Sequence, residues 1–366
     1  MIQGHGGNIY DLAQELGCVP SDIVDMSSNV NPFGPPPGLL PFLAENLDRV
    51  TALPEVDAAR IRHAFAGQHG IDPERVLAGN GSTQFIYCLP RALESRRVLI
   101  LAPTYADYAD ACRMNGIPFD FLTSDESAGF VHDPDRVSEA VRASGADTVF
   151  ICNPNNPTGV LLPPQTITGL CREHPQTHFI LDESYLGFVS RGQSLSLMAG
   201  NVPDNVVVLN SMSKLFKIPG LRIGFVYSSR PVIDRLNGFS LPWSVNSLSQ
   251  AAVSWLMENS QAVSRFVVET VAALDAEKAF LSDQLKPVAG IELFPSVTSF
   301  MLAALDGTGG AEEVCRYLGR HHILIRNCSN FHGLSSGYVR FSLKTHPENV
   351  FLVEKLHHYF NNKELK

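Results

Sequence analysis

No two cysteines of this chain stand in a Cys-x-x-Cys pair, although there are seven: Cys18, Cys88, Cys112, Cys152, Cys171, Cys315 and Cys328. An odd count without framework spacing argues against a zinc ribbon or a disulfide scaffold and for a reducing compartment. Positive charge is also short, with 28 Lys and Arg against 37 Asp and Glu and a formal net charge of −9. A nucleic-acid surface needs an excess of cations, so a polyanion partner is not expected, and no helix-turn-helix or basic stretch flanks the chain. Small anionic ligands stay allowed, because they need only a few well-placed cations. No apolar run approaches the roughly 20 residues of a membrane span. The stretch from Met1 to Tyr10 lacks the basic-then-apolar order of a secretion signal. Internal repeats and low-complexity tails are missing too. These absences lead to the expectation of a cytoplasmic protein with no metal, membrane or nucleic-acid partner.

What is present is ordinary globular material: 366 residues, 45% hydrophobic and 18% charged, enough for more than one compact unit. Val98 to Leu101, Val149 to Cys152, Phe179 to Leu181, Val206 to Leu209 and Ile223 to Tyr227 read as buried strands, short and not strictly alternating. Amphipathic segments such as Asp57 to His69 and Pro134 to Ala143 fall between or before them. The alternation predicts an α/β fold with a mainly parallel sheet and helices on both faces. Ser247 to Leu285 has helical apolar spacing and few breakers, which predicts one or two long helices. After Pro287 shorter elements follow: strands over Ser299 to Ala304, Ile323 to Arg326 and Tyr338 to Leu343, with helices over Ala311 to Arg320 and Pro347 to Phe360. The expected division is an N-terminal arm (1–33), a large domain (34–246), linking helices (247–285) and a small α+β domain (286–366).

Three expected strands end in polar residues of unusual type. Asn153-Pro154-Asn155-Asn156-Pro157-Thr158-Gly159 follows the second, Asp182-Glu183-Ser184-Tyr185 the third, and Asn210-Ser211-Met212-Ser213-Lys214 the fourth. Ligands of open α/β sheets sit outside the carboxyl ends of the strands, so these residues can converge on one site. Taken singly, each also reads as a turn, a helix cap or a solvated loop. Gly79-Asn80-Gly81-Ser82-Thr83 precedes a helix-like run and suits an anion at a helix N-terminus. It also resembles the start of a dinucleotide fingerprint, but Gln84 stands where the third glycine belongs.

Together with Gly220-Leu221-Arg222-Ile223-Gly224, these segments resemble the fold type I pyridoxal-phosphate enzymes, the aminotransferase class I and II group, over nearly the whole chain. The resemblance implies pyridoxal 5'-phosphate as cofactor, with Lys214 as its covalent attachment point. Asp182 is implied to face the ring nitrogen, Asn156 and Tyr185 the ring hydroxyl, and Tyr105 the ring face. Gly81, Ser82, Thr83, Ser211, Ser213 and Arg222 are implied around the cofactor phosphate. A homodimer is implied as well, because sites of this group are usually built at a two-fold interface.

Within the group the chain is similar to the histidinol-phosphate aminotransferases and the threonine-phosphate decarboxylases. His5-Gly6-Gly7-Asn8, Ser27-Ser28-Asn29-Val30-Asn31-Pro32, Leu241-Pro242-Trp243-Ser244-Val245-Asn246 and Ile323-Leu324-Ile325-Arg326-Asn327-Cys328 favour the decarboxylases. The expected substrate is a small phosphorylated amino acid, L-threonine O-3-phosphate, decarboxylated to (R)-1-amino-2-propanol phosphate for the cobamide nucleotide loop. L-Serine O-phosphate and amino transfer remain alternatives. A phosphate dianion is a handle that arginine is well shaped to grip. Arg326 and Arg340 match the family's substrate arginines, with His5, Asn8 and Asn29 as expected neighbours. One departure concerns Leu53, in Ala52-Leu53-Pro54-Glu55: the family often has a Tyr there that reaches a neighbouring subunit's site, and leucine cannot donate a hydrogen bond.

Overall fold

The computed structural model describes residues 6–200, 202–306 and 310–361. Its largest element is a seven-stranded sheet with the order Val76–Gly79, Gly224–Tyr227, Val206–Ser211, His178–Asp182, Thr148–Cys152, Val98–Ala102, Phe119–Thr123. The five expected strands are all in it. Four of them run parallel to one another, while Gly224–Tyr227 runs antiparallel to both strands beside it. The sheet is therefore mainly parallel, as its apolar central runs require: Val98–Ala102 and Thr148–Cys152 are buried at every residue, the mark of strands covered on both faces.

The two edge strands are not among the expected ones. Val76–Gly79 has only four residues and ends in glycine. Phe119–Thr123 is half-buried throughout and carries Asp120, so it presents no continuous apolar run.

Helices Ala59–His69 and Pro134–Ser144 form where amphipathic spacing placed them. The long stretch splits into Ser247–Glu258 and Ser260–Leu285. Beyond it a four-stranded antiparallel sheet has the order Arg326–Asn327, Tyr338–Ser342, Phe300–Leu305, Ile291–Leu293. The expected strand over Ile323 to Arg326 is a correction. Ile323–Leu324 pairs in parallel with Val24–Asp25, near the N-terminus, whereas Arg326–Asn327 pairs with Tyr338–Ser342. Ile325, buried between them, is where the chain changes partners. The amide of Met26 donates to the Leu324 carbonyl at 2.8 Å and the amide of Ser342 to the Met26 carbonyl at 2.7 Å. The segment after Val24 is thereby stitched onto the four-stranded sheet. Among the described residues, no helix is long and apolar enough to cross a membrane.

Candidate active site

The parallel strands deliver their carboxyl ends to one edge of the large sheet. Ser211, the last residue of its strand, pairs with Gly224, and Gly224 pairs with Gly79 on its other side. Glycine is needed at 224: a Cβ there would lie 2.4 Å from the Ser82 amide nitrogen and 2.9 Å from the Asn210 carbonyl. Gly81 turns the chain with φ +80° into helix Ser82–Ala92, whose N-terminus has no side-chain cap. A Cβ on Gly81 would meet Arg222 Nη2 at 2.6 Å, so the guanidinium lies against this turn. Gln84 bends back so that its Oε1 accepts from the Asn80 amide at 2.7 Å. It thus fills the place where a dinucleotide loop would need open backbone.

Lys214 Nζ donates to Ser211 Oγ at 3.2 Å, and Ser213 Oγ donates to the Ile223 carbonyl at 3.3 Å. Thr83 follows half-buried in the helix's first turn. A helix N-terminus, two serines, an arginine and a lysine thus ring one spot, a donor set suited to a phosphate.

Beside it stands Asp182, 5% exposed. Its Oδ2 accepts from Tyr108 Oη at 2.8 Å and its Oδ1 from the Ser184 amide at 3.0 Å. Burial holds the Lys214 amine below its ordinary value, with the Asp182 charge pulling the other way. The ammonium lies 5.4 Å from the centre of the Tyr185 ring. Tyr185 Oη accepts from Asn29 Nδ2 at 3.2 Å, and Asn29 Oδ1 accepts from Ser342 Oγ at 3.0 Å. The hydroxyl is pushed up, first by burial. Tyr105 is half-buried and meets Tyr108 edge-on, with ring centres 5.8 Å apart. Cys152, at the end of the next strand, donates its thiol to the Pro154 carbonyl at 3.3 Å, and burial pushes that thiol up to about 12. It is a packed, unreactive group.

Arg340 is 4% exposed. Its guanidinium donates to Asn156 Oδ1 and to the Ser27 carbonyl and lies 5.4 Å from the Phe300 ring centre. Arg326 is its direct partner across the antiparallel ladder, which puts both side chains on one face of the sheet. Arg326 donates to Asn330 Oδ1 at 2.7 Å and sits 5.2 Å from the Phe331 ring centre. Two like charges directly opposite one another are unfavourable without an anion between or beside them.

Asn8 spends its side chain on the helix it caps: Oδ1 accepts from the Asp11 amide and Nδ2 donates to the Asp11 carboxylate. His5 lies outside the described residues. Leu53 is 76% exposed. Tyr108 and Ser27 were not singled out in the sequence. The spacing of Tyr108, three residues after Tyr105, was the available signal for the first.

A cavity of about 610 Å³, lined by Phe65, Met198, Met212, Leu215, Met257 and Val267 among others, adjoins the site through Ser211, although neither Asp182 nor Lys214 lines it.

Residues 21–356 match the family model described as aminotransferase class I and II. A threonine-phosphate decarboxylase of Salmonella typhimurium is 31% identical over 96% of this chain and 95% of its own length. The adenosylcobalamin biosynthesis bifunctional protein CobDQ of Leptospira interrogans is 28% identical over 97% of this chain; the chain spans only 41% of that longer protein. Among solved structures, the L-threonine-O-3-phosphate decarboxylase of Porphyromonas gingivalis superposes with a TM-score of 0.80 at 31% identity, covering 93% of this chain and 100% of the other. The chain belongs to the aminotransferase class I and II family.

Proposed function

We propose that the protein is a pyridoxal-phosphate-dependent decarboxylase acting on L-threonine O-3-phosphate, releasing carbon dioxide and (R)-1-amino-2-propanol phosphate for the cobamide nucleotide loop. The observation that carries the reading is the facing pair Arg326 and Arg340, of which Arg340 bonds Asn156 and acts on the hydroxyl of Tyr185, the ring over which Lys214 Nζ lies. The named decarboxylase relatives support it.

The residues present fit the cofactor. Gly81, Ser82, Thr83, Ser211, Ser213 and Arg222 would hold its phosphate, Asp182 the ring nitrogen, Asn156 and Tyr185 the ring hydroxyl, and Tyr105 the ring face. Lys214 would attach it. When bound, pyridoxal phosphate supplies an electron sink for the pair left at Cα.

The protein's part is to choose the bond that breaks. Arg340 and Arg326, with His5 and Asn29 as further contacts, would grip the substrate phosphate and so fix which bond at Cα is presented for cleavage. Asn8, whose side chain caps its helix, is not among them. The Cα–carboxylate bond then breaks, carbon dioxide leaves, and Lys214 Nζ delivers a proton to Cα. Such placed proton transfer contributes roughly 10²–10⁴-fold. The amine's lowered proton affinity favours the neutral form that attachment requires. Residues 34–246 and 286–366 are the two domains that enclose the substrate, joined by 247–285 and flanked by the arm 1–33. The enzyme works as a cytoplasmic homodimer, and Leu53 leaves it without the tyrosine contact that relatives make across the interface.

The test is product analysis with the purified, cofactor-loaded protein on L-threonine O-3-phosphate and, in parallel, on L-serine O-phosphate. Carbon dioxide with an amino-alcohol phosphate is the expected result, lost in Lys214→Ala. One methyl group is worth about 1–3 kcal/mol of discrimination, so the ratio of the two rates settles the substrate. Amino transfer without carbon dioxide release would sink the decarboxylase reading and leave an aminotransferase.

A further inference from the structure

The turn Asp25-Met26-Ser27-Ser28 lies outside the residues assigned so far, yet it touches both Arg340 and the N-terminal segment. Asp25 Oδ1 accepts from the Ser27 amide at 2.9 Å, Ser27 Oγ at 2.7 Å and the Ser28 amide at 3.2 Å, while Oδ2 accepts from Ser28 Oγ at 2.5 Å. One carboxylate thereby fixes both serines. Ser27, 2% exposed, faces two ways. Its Oγ accepts from the Gly7 amide at 2.6 Å, and its carbonyl accepts from Arg340 Nη2. Gly6 rests on the same carbonyl, where a Cβ would come within 2.3 Å of the oxygen. Any side chain at position 6 must therefore push the N-terminal segment off Ser27. Among the described residues Arg340 Nε is buried without a hydrogen-bond partner, so Asn156 and Ser27 orient the guanidinium without satisfying all of it.

We propose that Asp25 and Ser27 are positioning residues: they aim the Arg340 guanidinium at the anionic substrate and lock the N-terminal segment to it through Gly6 and Gly7. The substrate rests on the decarboxylase reading; the lock itself does not. Ser27 joins the N-terminal segment to Arg340, because its Oγ holds the Gly7 amide while its carbonyl, against which Gly6 packs, holds the guanidinium. A segment that leaves Ser27 loosens the residue whose carbonyl directs Arg340.

The test uses full-length holoenzyme and the variants Ser27→Ala, Gly6→Ala and Ser28→Ala. Ser27→Ala removes the Oγ bonds to the Gly7 amide and to Asp25 but keeps the backbone carbonyl that Arg340 reaches. Ser28→Ala is the control, since it loses a bond to the same carboxylate and leaves the Gly7 contact whole. Ser27→Ala and Gly6→Ala should raise KM for L-threonine O-3-phosphate by about tenfold, the worth of one bond to a charged group, with kcat within about twofold. In both, amide hydrogen exchange of the peptide covering residues 6–16 should speed up. Ser28→Ala should match the parent in KM and in exchange. Unchanged exchange in Ser27→Ala, or equal effects in Ser27→Ala and Ser28→Ala, would overturn the proposal. The exchange measurement stands even if the parent protein turns over no phosphorylated amino acid, an outcome that would remove the decarboxylase reading alone.

Discussion

Tyr108 donates its hydroxyl to Asp182 Oδ2 at 2.8 Å from a ring that is fully buried and stacked on Phe150, with centres 4.8 Å apart. The carboxylate's direction is thus set by a side chain that packing does not let turn. A hydrogen bond to a charged group contributes about 1.5–3 kcal/mol, and Tyr108→Phe removes it while keeping the ring. Turnover should fall roughly 10- to 100-fold, and cofactor should bind more weakly, with the circular dichroism spectrum unchanged. Full activity and parental cofactor affinity in this variant would mean that Asp182 is held well enough by the Ser184 amide alone.

The Gly81 turn makes a prediction about the cofactor and not the substrate. Gly81→Ala puts a Cβ 2.6 Å from Arg222 Nη2 at a residue with φ +80°. Strain at such a position costs on the order of 1–3 kcal/mol, and the guanidinium must retreat. Cofactor affinity, measured by titrating the apoprotein, should drop at least about tenfold. A parental dissociation constant would show that neither Arg222 nor the helix N-terminus takes part in holding the phosphate.

How far these features could be seen in the sequence depends on the distance over which each contact acts. Asp182, Lys214 and Asn156 announce themselves because buried parallel strands read as apolar runs, and a polar residue ending such a run stands out. The edge strands Val76–Gly79 and Phe119–Thr123 lack that contrast. The antiparallel course of Gly224–Tyr227 leaves no local trace, because a buried strand looks the same in either direction. The roles of Tyr108 and Ser27 were hidden for another reason, although Tyr108 follows Tyr105 by three residues and Ser27 opens one of the runs that carry the resemblance. Their meaning lies in bonds that span 74 and 313 positions of chain, and nothing in the neighbourhood of either residue points to its partner. Leu53 was legible only as a departure, and at 76% exposed its side chain packs little against the described residues.

Next to Asp182, Glu183 yields a pH prediction. Burial pushes its carboxyl up to about 7 from an ordinary value of 4.5, against the bonds donated by Ser196 and the Leu197 amide. Between those two values the folded protein holds a proton that the unfolded chain has lost, so stability falls as pH rises through the window. The full change is about 3 kcal/mol. Burial holds His69 and His132 down to about 4, which lowers stability towards acid in any variant that keeps them. Comparison with Glu183→Gln cancels those contributions. Denaturant unfolding at pH 5, 6, 7 and 8 should show the parent losing stability relative to Glu183→Gln up to about pH 7 and no further. Parallel curves across the whole range would rule out the proton uptake.

Arg340 gives the sharpest separation between substrate and cofactor. Its fork reaches Asn156 Oδ1 and the Ser27 carbonyl at once, and a lysine ammonium at the same place cannot span both acceptors. Arg340→Lys keeps the charge opposite Arg326 but loses the direction. Loss of a buried, hydrogen-bonded charge contact costs about 2–5 kcal/mol, so KM for L-threonine O-3-phosphate should rise on the order of 100-fold while the visible absorption of bound cofactor is retained. Arg326→Lys, at a half-buried position bonded to Asn330, should raise KM by less, about tenfold. If Arg340→Lys lost cofactor and substrate together, its contact with Asn156 would be what matters, and the arginine would belong to the cofactor's support. If KM alone moves, and moves more for Arg340 than for Arg326, the buried arginine is the substrate's anchor and the turn behind it decides where that anchor points.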